Sequence, residues 1–516
     1  MNDAYVTSIS VAPSVALADA QRSQVISPAI DFAARDPLGR IEEASFWLET
    51  YQHSIGASAV RAFEVVDHVD NRAQSDRLLL MREYLRSSGR MQSHREQRIW
   101  QALVGYAREL SMGYETCLRL MQSDAGHARE LKPAIPMIVA RALRALSLEV
   151  RCALLRYANV DPGIWVRMGT LYAFAEKHRF AALRLKVYAG MQGDSTVRRE
   201  YLRGLLLAVS GMDNLLPPSQ VVAERIVAAV AEFFLLHRSP TPSCRFGVAL
   251  QAGRAPYRLS EDSVRSPGVR FFGPGDAGVM VEGYLRRIVE ARLVPAELKL
   301  HEGVAPALVG EVLLHLSRQW AATPPARREK RQAVITTMQV AHGFQRVLDT
   351  VLSEPGDERL AEVTEVWTVV NESSGGFGAV LPPLGEGDWL MVGTLVAAKP
   401  MWPASWSIGV IRRLSSADAT QRSIGVEILA RAAIAVQLVP QSGEASSASL
   451  TGLLLATEAP MSNASSEVSF VLPKGASKGL ESAEVRIHDR RYILTHGRIC
   501  YGSDDFELAR FSVHLG

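Results

Sequence analysis

Apolar residues recur at intervals of three and four from Pro37 to Arg238, which is the period of amphipathic helices. We therefore predict that residues 37–238 form a domain that is nearly all helix. Helix-breaking residues divide this region into seven or eight expected helices, and they are Gly56, Gly113, Pro133, Pro136, Pro162, Gly193, Pro217 and Pro218. Two segments with long apolar runs, Leu202–Val209 and Val221–Leu236, are predicted to be the most buried helices.

The helical pattern stops at Ser239–Cys244, where two prolines fall within six residues. The next stretch, Arg245–Gly278, is rich in Gly, Pro and Ser and is expected to loop through short strands. Helical periodicity returns at Val279–Ala291 and at Ala305–Trp320. Residues 239–324 are thus either a connector or a small mixed domain, and the pattern is compatible with both.

From Arg331 onward the pattern changes to period two with many β-branched residues, which indicates short antiparallel strands. The expected strands are Ala333–Val340, Glu365–Val370, Leu395–Ala398 and Ser407–Ile411. Beyond the Gly/Ser-rich segment Gln441–Ser449, further strands are expected at Thr451–Leu455, Val468–Leu472, Ser482–Ile487 and Arg491–Leu494. The predicted fold class is therefore multidomain α+β, with an N-terminal all-α domain, a small antiparallel barrel or sandwich, and a C-terminal β extension over 436–516.

The composition is that of a globular protein of several domains. The chain has 516 residues, of which 47% are hydrophobic and 22% charged. Its formal net charge is only +3, so there is no chain-wide basic field that would favour nucleic acid. Residues 1–36 are expected to be a loose or disordered tail without a secretory signal, and no apolar run reaches the roughly 20 residues of a membrane span. These features predict a cytoplasmic protein.

The residues that usually support catalysis or metal binding lack the required spacing. Cys117, Cys152, Cys244 and Cys500 lie far apart, so neither a zinc site nor a disulfide framework is predicted. The glycine-rich stretch Gly273–Gly278 lacks the Lys-Ser/Thr ending of a phosphate loop and is better interpreted as a turn. We therefore expect no enzyme activity, no metal and no cofactor.

Two short clusters offer binding chemistry. The first contains Arg327, Arg328 and Arg331, and guanidinium groups bind phosphate oxygens in a fork and stack on purine rings. The second is the run of six residues from Asn371 to Gly376, whose amide, hydroxyl and glycines suit a base edge and a close backbone approach. Taken separately, the first cluster is better interpreted as a solvated charge run at a domain junction, and the second as an ordinary turn between strands.

In combination and in this order, the two clusters resemble the PilZ family of cyclic di-GMP receptors. The family's RxxxR motif matches Arg327 and Arg331, and its [Asp/Asn]xSxxG motif matches Asn371, Ser373 and Gly376. Three later segments follow in the family's order: Val392–Val396, Trp406–Arg412 and Gly425–Leu429. The resemblance covers roughly Pro325 to Arg431.

The resemblance implies a six-stranded barrel at 325–435 that has no catalytic groups and binds cyclic di-GMP. Arg327 and Arg331 would hold the phosphates and stack on guanine, and Arg328 or Lys330 would add positive charge. The two motifs are 40 residues apart, which exceeds the family's usual spacing. The excess, around Gln345–Leu360, is predicted to be an inserted helix.

By the same resemblance, Asn371 and Ser373 would contact the guanine edge, and Gly376 would permit its close approach. The expected function is a cyclic di-GMP receptor that relays the level of this second messenger to a protein partner through the helical domain. The alternative is a structural adaptor of motility, secretion or envelope machinery that keeps the barrel but binds no nucleotide.

Overall fold

The structure is a computed structural model that describes most of the chain. The described residues are 32, 36–52, 58–87, 94–123, 129–190, 193–260, 266–301, 303–323, 331–354, 360–381, 390–400, 405–416, 422–441, 449–456, 467–476, 480, 482–487, 490–503 and 505–515. Within these ranges no helix is long and apolar enough to cross a membrane, and no cluster of His, Cys, Asp or Glu has the geometry of a metal site.

The N-terminal region is helical, as the apolar periodicity predicts. Its helices are α1 (Pro37–Gln52), α2 (Ala59–Ser87), α3 (His94–Ser123), α4 (Ile135–Leu155), α5 (Pro162–Lys177), α6 (Val197–Val209) and α7 (Pro217–Val230). Proline opens α5 and α7 at the first turn, where its missing N–H costs nothing. The segment 178–196 is an exception to the prediction. Its described residues, 178–190 and 193–196, form no helix, and a β-bridge pairs Leu185 with Ser195.

Two helix boundaries differ from the prediction. Gly113 does not end a helix; it lies inside α3, where an added Cβ would come 3.0 Å from Cγ2 of Val66 on α2, so the glycine allows the two helices to approach closely. The helix expected over Val221–Leu236 ends at Val230, and Leu235–His237 is instead strand β1. Residues 235–237 pair with a later strand, and this long-range pairing overrides the local helical pattern.

The chain divides into two compact units, and the first contains the described residues of 1–86, 94–148 and 182–197. Its centre is the fully buried carboxylate of Asp70, which accepts hydrogen bonds from the hydroxyls of Tyr114 (2.7 Å), Tyr188 (3.0 Å) and Tyr106 (3.2 Å). Burial raises the pKa of Tyr106 and Tyr114 well above the usual value, so both hydroxyls remain donors. A buried carboxylate is tolerated here because its oxygens are satisfied.

Arg141 connects this polar centre to the irregular segment 178–196. Its Nη1 donates to Asp67 Oδ1 at 2.5 Å, and its Nε donates to the carbonyl of Val187 at 2.7 Å. The guanidinium also lies over the Tyr188 ring, 4.3 Å from the ring centroid. These contacts hold residues 187 and 188 in place without secondary structure of their own.

The second unit contains residues 149–181 and the described residues from 198 onward, and it begins with a mixed α/β part. A four-stranded antiparallel sheet has the order β1-β4-β2-β3, with β1 (Leu235–His237), β2 (Phe246–Ala249), β3 (Tyr257–Arg258) and β4 (Val269–Gly273). Helices α8 (Ala277–Ala291) and α9 (Pro306–Trp320) follow at the positions that the returning periodicity predicts. The expected short strands of Arg245–Gly278 are also confirmed.

Six antiparallel strands then close into a first barrel, in the order β10-β7-β6-β5-β8-β9. The strands are β5 (Gln332–His342), β6 (Glu365–Ser373), β7 (Gly376–Leu381), β8 (Leu395–Pro400), β9 (Ser407–Ser416) and β10 (Arg422–Ala430). Side chains at alternating, inward-facing positions fill the barrel, among them the fully buried Trp367.

The C-terminal strands close into a second six-stranded barrel, in the order β11-β12-β13-β16-β15-β14. They are β11 (Ala433–Pro440), β12 (Leu450–Leu455), β13 (Glu467–Pro473), β14 (Ser482–Ile487), β15 (Arg490–Gly502) and β16 (Phe506–Leu515). Numbered from its own first strand, each barrel has the same cyclic order, 1-2-3-6-5-4, with strand 4 returning to strand 1. The β extension predicted from the sequence is therefore a complete barrel with the topology of the first.

The helix predicted between the two motifs is present as α10 (Phe344–Leu352), with a further short helix, α11 (Leu360–Val363). Phe344, Val347 and Leu348 pack into an apolar cluster formed by outward residues of β8 and β9 together with residues of β12, β13 and β16. The carboxylate of Asp505, between β15 and β16, accepts a hydrogen bond from the backbone N–H of Phe344. The insertion thus joins the two barrels.

Candidate functional site

The [Asp/Asn]xSxxG motif lies on the β6–β7 hairpin of the first barrel. Strand β6 extends through Asn371 to Ser373, whereas the sequence predicts a turn beginning at Asn371. The strand continues because a bulge after Val369 lets Asn371 pair with Gly378 and Ser373 with Gly376. The Ser373 hydroxyl donates to the carbonyl of Gly376 at 3.2 Å, so it fixes the turn.

An arginine side chain also supports this hairpin. Nη2 of Arg431, just after β10, donates to the carbonyl of Ser374 at the hairpin tip, at 2.9 Å. The backbone N–H of Ile428 also donates to the carbonyl of Gly375 at 3.0 Å. The tip of the motif is therefore anchored to β10 rather than left as a free loop.

At one register position on the outer face of β7 and β10, both paired residues are glycines and therefore carry no side chain. Gly378 on β7 and Gly425 on β10 are register partners, and we call them the glycine pair. Their neighbours in the strands, such as Phe377 and Val426, point into the barrel core, so the glycine pair faces outward. Both glycines are nevertheless buried, because polar side chains lie over them.

The covering side chains are two of the sequence-predicted site residues. A Cβ added to Gly378 would lie 2.8 Å from both amide atoms of Asn371, and one added to Gly425 would lie 4.0 Å from Nη2 of Arg331. Since the glycines are partners on adjacent strands, the Asn371 amide and the Arg331 guanidinium are brought together on one outer face. Arg413 on β9 borders the same face, with its own Cβ 3.4 Å from that Gly425 position.

The amide oxygen of Asn371 is buried and has no hydrogen-bond partner among the described residues. A buried acceptor without a donor costs about 1–3 kcal/mol, so such an atom marks a place where a ligand or another segment supplies the donor. The N1–H and amino group of a guanine edge are donors of the required kind. The site therefore combines an unsatisfied acceptor, the glycine pair and cationic groups.

The structure describes only some of the nucleotide-binding residues predicted from the sequence. Asn371, Ser373 and Gly376 lie on one hairpin, and Arg331 is an exposed residue immediately before β5. Arg327, Arg328 and Lys330 lie outside the described residues. An added Cβ at Gly376 would overlap the carbonyl oxygen of Val426, so this glycine permits the close approach of β10 to β7.

The sequence reasoning missed the glycine pair and Arg413. A signal for the glycines was present, because isolated glycines within strand patterns mark close approach of a backbone or ligand. No comparable signal existed for Arg413, whose position beside Gly425 depends on pairing between β9 and β10.

The inserted helix does not lie on this face of the barrel. Its apolar side contacts Leu395 and Ala397 on β8 and Ile408 and Val410 on β9, whereas the candidate site lies on the outer face of β6, β7 and β10. The inserted helix, which accounts for the long separation between the two motifs, therefore does not cover the face on which Asn371 and Arg331 lie.

The second barrel has side chains at the corresponding position. Between two inward-facing pairs, where the first barrel has Gly378 and Gly425, the second has Ser469 on β13 and Arg510 on β16. Nη1 of Arg510 lies 3.5 Å from the Glu467 carboxylate. Of the two barrels, the first therefore has a glycine pair at this position and the second does not.

Part of the chain is similar to a known protein family. Residues 31–241 are similar to the family described as "Cyclic-di-GMP receptor FimW, N-terminal domain", which corresponds to the helices α1–α7 and strand β1. None of the curated proteins matches the chain.

Proposed function

We propose that the chain is a cyclic di-GMP receptor and that the nucleotide binds on the outer face of the first barrel. The observation that carries the proposal is the buried, unsatisfied amide oxygen of Asn371 beside the glycine pair, with Arg331 over the second glycine. Support from a separate part of the chain comes from the similarity of residues 31–241 to the N-terminal domain of a family described as a cyclic di-GMP receptor. The PilZ resemblance of roughly Pro325 to Arg431 adds the expected motifs in the expected order.

The chemistry of binding follows from the residue types. Asn371 accepts hydrogen bonds from the donors of a guanine edge, and Arg331 pairs with a phosphate oxygen in a charge-assisted contact or stacks on the base. Without side chains at Gly378 and Gly425, a planar base can approach the strand backbone. Arg327 and Arg328, from the same motif, supply further positive charge to the phosphates.

We propose that the receptor binds and releases cyclic di-GMP without converting it into another compound. The nucleotide and the helical region would be coupled through the segment that contains Arg327–Arg331, since it follows α9 and precedes β5. A ligand shifts a conformational equilibrium only when it contacts the two states differently, so the nucleotide would have to contact this segment differently in its two states. The output would be a changed contact between the helical domain and a protein partner.

Calorimetric titration of the full chain with cyclic di-GMP tests the proposal. We expect saturable binding, and the Arg331→Ala and Asn371→Ala variants should each bind about 10- to 100-fold more weakly, because each loses a hydrogen bond to a charged or desolvated group. Arg486→Ala is the matched control, since this arginine is exposed on the second barrel. Cyclic di-AMP, which lacks the guanine edge, should not compete.

Two results would contradict the proposal. The first is no heat and no thermal stabilisation of the wild-type chain at high micromolar cyclic di-GMP, which would favour the adaptor alternative. The second is binding that Arg331→Ala and Asn371→Ala leave unchanged, which would place the nucleotide elsewhere. Breakdown of the nucleotide during the titration would indicate an enzyme instead.

A further inference from the structure

Arg413, at the border of the glycine pair, is held by a carboxylate from outside the barrel. Its Nε lies 2.7 Å from Oδ2 of Asp213, which belongs to the 3-10 turn Met212–Asn214 between α6 and α7. The Arg413 side chain is 57% exposed and that of Asp213 is 29% exposed. The ion pair is therefore open to solvent on the same side of the barrel as the candidate site.

We propose that Arg413 is a further phosphate-binding residue of this site and that nucleotide binding weakens its ion pair with Asp213. This inference rests on the proposed function. Arg413 and Arg331 flank the same glycine, and a diester phosphate held between them would be an anion close to Asp213. Two anions at one guanidinium repel each other, so the phosphate and Asp213 compete for Arg413. An exposed ion pair contributes little to stability, so replacing the Asp213 carboxylate at Arg413 by a phosphate costs little free energy of folding.

The turn that contains Asp213 is attached to the helices. Nε2 of His315 on α9 lies 2.8 Å from the carbonyl of Ser210, and Nε1 of Trp320 donates to the Ser210 hydroxyl at 3.2 Å. Trp320 is the last residue of α9, and the segment with the arginine motif follows it. A displacement of the turn is therefore transmitted to the helix that precedes this motif.

The same turn is also attached to the barrel interior. The Tyr157 ring packs in the core of the first barrel, and its hydroxyl donates to the carbonyl of Leu215 at 2.9 Å. Tyr157 has φ +55°, a left-handed conformation that a bulky residue adopts only when its surroundings impose it. Leu216 packs against the same core. The turn therefore contacts the first barrel through the partly exposed Asp213–Arg413 ion pair and, one and two residues after the turn, through the buried hydrogen bond of Tyr157 and the packing of Leu216.

Opposite substitutions at the two partners test the proposal. With cyclic di-GMP as the probe, Arg413→Ala should weaken binding by about 10- to 100-fold, since a charge-assisted hydrogen bond is lost. Asp213→Asn should strengthen binding by about two- to five-fold, since the competing anion is removed. Arg287→Ala and Glu297→Gln are matched controls, because these residues form another exposed ion pair, at 3.1 Å, in the same unit. Neither control should change the affinity.

Amide hydrogen exchange in Ser210–Asn214 gives a second readout. We expect the nucleotide to increase exchange in the wild-type turn, and we expect Asp213→Asn to show the increase without nucleotide. Unchanged or weaker binding by Asp213→Asn would overturn the role of Arg413 and leave the proposed function intact. Full affinity of Arg413→Ala, measured beside the weakened binding of Arg331→Ala, would do the same. Absence of binding by the wild-type chain would instead refute the proposed function itself.

Discussion

The glycine pair offers a test in which steric effects on the site and on the fold can be separated. In Gly378→Ala the new Cβ would lie 2.8 Å from both amide atoms of Asn371. Favourable non-bonded contacts are about 3.5–4.0 Å, so the amide must move by about 0.7 Å or more. Because the amide is the end of a rotatable side chain, the strain costs only about 0.5–1.5 kcal/mol. We expect the fold to be retained.

The expected loss is in nucleotide binding. A displaced amide no longer presents its oxygen to the guanine edge, so Gly378→Ala should bind cyclic di-GMP about 10- to 100-fold more weakly, the equivalent of one or two hydrogen bonds. Titration calorimetry gives the affinity, and thermal unfolding followed by circular dichroism gives the stability of the same sample. Each measurement is made on the full chain.

Two neighbouring glycines serve as controls for this experiment. An added Cβ at Gly425 would meet the Arg413 Cβ at an ordinary 3.4 Å, so Gly425→Ala should unfold at the wild-type temperature. An added Cβ at Gly376 would overlap the carbonyl of Val426, a fixed part of the β7–β10 ladder, and overpacking of this kind costs about 1–3 kcal/mol or more. The reasoning is refuted if Gly378→Ala binds with wild-type affinity, or if it is destabilised as much as Gly376→Ala.

Three further predictions concern stability. Asp70→Ala should lower the free energy of unfolding of the first unit by about 3–5 kcal/mol, measured by chemical denaturation, because Arg141 and three tyrosine hydroxyls lose a buried acceptor; a loss under 1 kcal/mol would contradict this. Burial opposes ionisation of Glu176, yet hydrogen bonds from Arg270 hold the pKa of this carboxyl below its ordinary value. The stability that the ionised carboxylate contributes is therefore fully present above the ordinary pKa and is lost as the pH falls through the lowered pKa. Glu176→Gln should therefore flatten the acid side of the melting-temperature profile, and an unchanged slope would count against the pair. Tyr157→Phe should cost about 1 kcal/mol in thermal unfolding, for its one hydrogen bond to a carbonyl, whereas no change would show that water replaces the bond.

Local patterns were sufficient to predict most elements of this chain. Period-two runs located β5, β6, β8 and β9 to within a few residues, and the apolar spacing located α8 and α9. The local pattern failed at Leu235, where pairing with Gly273 converts an apolar helical run into a strand. It also failed at Gly113, because the close packing of α2 against α3 cannot be inferred from either helix alone.

The candidate site was only partly predictable for the same reason. The positions of Asn371 and Arg331 in their motifs are local properties, and the sequence indicates both. Their proximity depends on the pairing of Gly378 with Gly425, which are 47 positions apart in the chain and meet only when the barrel closes. Arg413 lies beside the site because β9 pairs with β10, and its partner Asp213 belongs to a helical region 200 residues earlier in the chain.

The repeated cyclic strand order of the two barrels has an evolutionary consequence. Two successive barrels of one topology are the product expected from tandem duplication of a barrel-coding segment. After such an event one copy can retain the ancestral surface while the other is released from that constraint and accumulates changes. The second barrel, with Ser469 and Arg510 at the place of the glycine pair, then acts mainly through the apolar cluster in which α10 packs against both barrels.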